Sequence, residues 1–86
     1  MSKKQLRAQL TAKQKQIDQL QLSLVQATKN LQRSEYERQE RIRAGAEDVS
    51  QARLQQSRSS VTSLKQLLQK ALSQQAQLEQ QLKEPN

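Results

Sequence analysis

Five carboxylates sit near the middle of the chain, Glu35, Glu37, Glu40, Glu47 and Asp48, and paired carboxylates are the one constellation here suited to general acid–base work. That chemistry needs a pocket that excludes water and shifts the proton affinity of its acids. Cysteine and histidine are absent, which removes a zinc site, a thiol nucleophile, an imidazole base and a disulfide framework. The single glycine, Gly45, leaves no glycine-rich phosphate loop. The expectation is a protein that is not an enzyme and takes no cofactor or metal.

The cations offer a second chemistry. Net charge is +7, and Lys3, Lys4, Arg7, Lys13 and Lys15 all precede the first acid, Asp18. These five are candidate phosphate contacts, with binding that falls steeply in salt; an ordinary solvated face is the competing reading. Among the central arginines, Arg38, Arg41 and Arg43 are candidate contacts for a partner, but Glu35, Glu37 and Glu40 are interleaved with them at i,i+3 or i,i+4 spacing. Each such pair contributes about 0.2–0.5 kcal/mol to an exposed helix. This stretch therefore differs from the acid-poor basic region of a leucine-zipper transcription factor. Tyr36 is the only aromatic residue, so there is no platform for stacking bases. It is either an exposed anchor for a partner or a ring packed across neighbouring helices.

The elements that position these residues follow from the apolar pattern. Leu, Ile, Val and Phe make up 18 of the 86 residues, too few for a conventional globular core but enough for a narrow helical seam. Setting Leu10 at position a of a heptad places Leu10, Ile17, Leu24 and Leu31 at a, and Leu6, Leu20 and Ala27 at d, with Lys13 as the polar intrusion. A second series has Leu54, Val61, Leu68, Gln75 and Leu82 at a, with Ser57, Leu64, Ala71 and Leu78 at d. It is out of phase with the first by two residues, so one unbroken heptad helix fails. Gly45 falls between the series, where glycine favours a helix end, and Asp48-Val49-Ser50-Gln51 has the spacing of a capping box.

The expected fold is all-α, an antiparallel coiled-coil hairpin forming a single unit over residues 1–86. Helix one covers about 3–42, the turn about 43–48 and helix two about 49–83, with Ser2-Lys3-Lys4-Gln5 as a capping box in front and Pro85 behind. In an antiparallel pair the numbers of layered residues add to a constant. A sum of 88 layers Leu6 with Leu82, Leu10 with Leu78, Ile17 with Ala71, Leu20 with Leu68, Leu24 with Leu64 and Ala27 with Val61. It also sets Lys13 against Gln75, Leu31 against Ser57, Ser34 against Leu54 and Arg41 against Glu47. A sum of 95 is poorer, since it layers Lys13 with Leu82 and Leu20 with Gln75. A rival architecture is one continuous helix of about 120 Å, and a weak stretch at 57–63 invites a kink or fraying in helix two.

One thin seam is marginal at this length, and Leu22, Val25, Leu67 and Leu72 lie outside it. Together with Tyr36 they are a candidate partner face, against the plain reading of scattered surface apolar residues. The function expected is a protein-interaction module, such as a small adaptor, chaperone, scaffold or inhibitor, that docks on a larger protein partner and forms homo-oligomers, with a dimer favoured. A nucleic-acid-associated protein using the N-terminal lysines is the alternative. No apolar run reaches the length of a membrane span, and the basic opening lacks the apolar stretch of a signal peptide, so a cytoplasmic location is expected.

Overall fold

The computed structural model describes residues 2–45 and 51–85, which form two helices, α1 (Lys3–Arg43) and α2 (Gln51–Lys83). Ser2 opens α1 from an extended backbone conformation. Its Oγ accepts from the Gln5 N–H at 3.2 Å while Gln5 Oε1 accepts from the Ser2 N–H at 3.1 Å, the reciprocal capping box expected of this tetrapeptide. Lys3 and Lys4 in the first turn oppose the helix dipole, whereas Arg41 and Arg43 in the last turn complement it.

Gly45 ends α1 in the left-handed region, at φ +79°. Its N–H donates to the Ile42 carbonyl at 3.0 Å and the Ala44 N–H donates to Glu40 at 3.1 Å, satisfying carbonyls that the helix end would orphan. A Cβ at Gly45 would meet nothing within 4 Å, so the glycine is required by backbone conformation and not by space. Gly45→Ala should therefore cost about 1–2 kcal/mol, and Gly45→Asn less, because asparagine tolerates this region. Urea midpoints of the two variants check this; equal midpoints would mean that the turn does not depend on the left-handed residue. The capping box expected at Asp48-Val49-Ser50-Gln51 and the Arg41–Glu47 layer depend on Asp48, Val49, Ser50 and Glu47, which lie outside the described residues.

Stretch 57–63 does not interrupt α2, which runs through it unbroken. Val61 is buried within it, Leu54 just before it is buried and Leu64 just after it is half-buried, and that burial outweighs propensity losses of a few tenths of a kcal/mol per residue. Thr62 Oγ1 is absorbed by the Arg58 carbonyl at 3.1 Å.

The helices lie side by side in a rod whose Cα atoms span 68 × 14 × 13 Å, which excludes the continuous helix of about 120 Å. Its core is a single row of side chains. Leu6, Ile17, Leu54, Val61 and Ala71 are buried, and Leu10, Leu20, Leu24, Ala27, Leu31, Leu64, Leu68, Leu78 and Leu82 are half-buried along the same row. Cross-helix bonds from Lys13 to Gln74 and from Gln75 to Gln14 bracket the register whose partner numbers add to 88. Leu6, only 4% exposed, agrees, since a sum of 95 would leave it beyond the end of α2 with no layer partner.

Candidate functional site

Among the described residues the two helices form open surface grooves, so the candidate site is the surface of the rod. Positions on it follow from the heptad. The a and d rows face inward, e and g flank the seam on opposite sides, and b, c and f face away.

The polar layer is the most organised feature. Lys13 occupies a seam position of α1 and is half-buried, and its ammonium leaves the seam on the g flank. There it donates to Gln16 Oε1 at 2.9 Å and Gln74 Oε1 at 2.7 Å. Gln75, its layer partner in α2, turns to the other flank, where Nε2 donates to Gln14 Oε1 at 2.6 Å. Long side chains thus let two polar residues occupy the seam while their polar ends reach the rim. Gln14, Gln16 and Gln74 were not singled out by the sequence reading, although their e and g positions beside a polar layer are the signal that marks them.

This layer divides the five candidate phosphate contacts. Lys4, Arg7 and Lys15 are exposed, but Lys3 is half-buried along the seam row and Lys13 is engaged as above. Folding also brings Lys83, Glu79 and Glu84 from the end of α2 to the level of these cations, so the basic excess at the front of the sequence is shared at this end of the rod with two acids.

At the other end, Arg41 lies 3.8 Å from Glu37 and Arg43 lies 3.1 Å from Glu40, both local pairs on α1. Arg38 continues the a row and is half-buried. The candidate tip contacts therefore carry mixed charge. Glu35 also reaches across the hairpin to Arg58 at 3.6 Å, an ion pair between two e positions that spacing within one helix does not reveal.

The apolar candidates are all exposed: Leu22 by 72%, Tyr36 by 64%, Val25 and Leu67 by 52% and Leu72 by 43%. They are not one surface. Leu67 and Leu72 are five residues apart, about 140° around the helix, so one stands on each flank of the seam. Tyr36 does not pack across the helix pair, because its heptad position, f, points directly away from α2. Leu22 and Val25 do share a face of α1, where they line a shallow open groove with Gln26, Lys29, Asn30 and Arg33. Ile42, half exposed near the end of α1, is a further apolar residue that the sequence reading left unassigned.

Among the described residues no three His, Cys, Asp or Glu side chains converge as metal ligands, and no helix is long and apolar enough to cross a membrane. Comparison with protein-family models, curated proteins and solved structures returned no match.

Proposed function

We propose that the chain is a non-enzymatic protein-interaction module, a helical hairpin that docks an exposed helical face or its charged tip on a larger protein and associates with itself. The observation that carries this reading is the mismatch between core and surface. Among the described residues five are buried, while six large apolar side chains, Ile42 included, stand 43–72% exposed along the rod. Adaptors, assembly scaffolds, chaperones and inhibitors all use such a surface, and fold alone does not separate them. A cytoplasmic location belongs to the same proposal and is read by cell fractionation.

The test immobilises the hairpin and compares wild type with Leu67→Ser, Leu72→Ser and a Lys3→Gln/Lys4→Gln/Arg7→Gln variant, while a DNA duplex serves as the phosphate probe. The two leucines are changed separately because they stand on opposite flanks. Expected is one protein partner retained by wild type and by the glutamine variant, and lost with at least one leucine variant. Duplex binding that disappears in the glutamine variant and falls steeply with salt, with no protein retained, would replace this reading with the nucleic-acid one.

A further inference from the structure

Asp18, Leu22, Val25 and Lys29 follow one another on α1 at spacings of four, three and four. Those spacings place all four on one stripe of the helix, the f and b rows turned away from α2. Leu22 and Val25 are exposed at its centre. Lys29 at one end makes no ion pair among the described residues, and Asp18 at the other accepts only from Gln14 Nε2 at 3.0 Å.

The stripe is complementary to itself when reversed. We infer that two copies of the hairpin associate through this face of α1, antiparallel about a two-fold axis, with numbers across the interface adding to 47. In that register Leu22 meets the partner's Val25 and Val25 meets the partner's Leu22, which forms two apolar layers at the centre. Lys29 then meets the partner's Asp18 on one side and Asp18 meets the partner's Lys29 on the other, closing the apolar layers between two ion pairs. Further out, Tyr36 lies over the partner's Thr11, Lys15 beside the partner's Gln32 and Ala8 beside the partner's Gln39, and the one like-charge layer on the stripe, Lys4 with the partner's Arg43, falls at the exposed helix ends, where solvent screens it. A two-fold contact of this kind repeats every favourable pair twice and closes without growing into a filament.

Alternatives on the same stripe are poor. Moving by one heptad to a sum of 54 sets Leu22 on Gln32, Val25 on Lys29 and Asp18 on Tyr36, and a sum of 40 sets Leu22 on Asp18 and Val25 on Lys15. A parallel pairing stacks Lys29 on Lys29 and Asp18 on Asp18. On α2, Leu67 and Leu72 offer no equivalent, because they stand on opposite flanks. This inference deepens the interaction-module reading by naming one partner, a second copy, and one surface.

Sedimentation equilibrium over a micromolar concentration series tests it, with circular dichroism showing that each variant keeps its helices. Wild type should be a dimer. Asp18→Lys and Lys29→Asp should each weaken the dimer by about tenfold or more, since each sets two like-charge pairs in the interface. Mixing the two variants should restore a heterodimer, because every Lys then faces an Asp. Leu22→Ser/Val25→Ser should be monomeric with its helices intact. A monomeric wild type would overturn this dimer and leave capture of a larger protein to be judged on its own assay. A wild-type dimer indifferent to both charge reversals, or a mixture that stays monomeric, would equally overturn it and place self-association on another face.

Discussion

Replacing Ile17 with alanine should abolish the helical circular dichroism signal at room temperature, or leave a broad remnant of it. Ile17 is 2% exposed and is the largest fully buried side chain among the described residues. Truncating a buried isoleucine to alanine costs about 2–5 kcal/mol, the upper part of which comes from the cavity left behind. Here the cavity cannot be closed from across the seam. The layer partner is Ala71, itself 2% exposed, and a methyl group has no rotamer with which to fill space. In chains only slightly shorter than this one a single core rarely supplies more than about 3–5 kcal/mol, so the loss is comparable with the whole stability. Ile17→Val, at about 0.5–1.5 kcal/mol, should fall between the two in a urea titration run at the same protein concentration. An Ile17→Ala protein as stable as wild type would show that the central Ile17–Ala71 layer does not hold the hairpin together.

The seam was legible in the sequence because it is a property of the backbone period. Once Leu10 is assigned to a in the first series and Leu54 to a in the second, the rows that contain Leu6, Ile17, Leu54, Val61 and Ala71 are determined, and the buried residues lie on them. Capping at Ser2 and the left-handed Gly45 were legible for a similar reason, since both depend on local backbone demands that few residue types meet. The flanks were harder to read. Whether Glu35 pairs within α1 or with Arg58 depends on side-chain reach across the groove, where several rotamers of similar energy compete. Tyr36 and the Leu67/Leu72 pair are different, because the register already determined their directions. A ring at f points away from the seam, which leaves the exposed-anchor reading of Tyr36, and leucines at e and g stand on opposite flanks.

A double change in the polar layer, Lys13→Leu with Gln75→Leu, should raise the thermal midpoint and blur the register at the same time. Each new leucine would be largely buried in the seam, and full burial of such a side chain contributes about 1.5–3 kcal/mol. In a domain of this size 1 kcal/mol moves the midpoint by about 4–8 °C, so even partial burial gives a rise of about 10 °C. The wild-type pair costs that stability but separates two registers. With partner numbers adding to 88 the wild-type sequence has six layers apolar on both sides and puts Lys13 with Gln75; at 95 it has four, and both polar residues face leucines. After the double change the numbers become seven and six, and the penalty on the shifted register is gone. Cysteine pairs measure the outcome. Leu24→Cys with Leu64→Cys reports the register at 88, and Leu24→Cys with Ala71→Cys reports the one at 95. In the wild-type background only the first pair should close an intrachain disulfide, while in the leucine background both should. A leucine variant that still closes only the first would move register control to Leu6, whose layer with Leu82 exists at 88 and has no counterpart at 95. Polar seam residues that cost stability and fix pairing are a known device of coiled coils. Here Gln14, Gln16 and Gln74 limit that cost, because they satisfy at the rim the groups that the seam itself cannot.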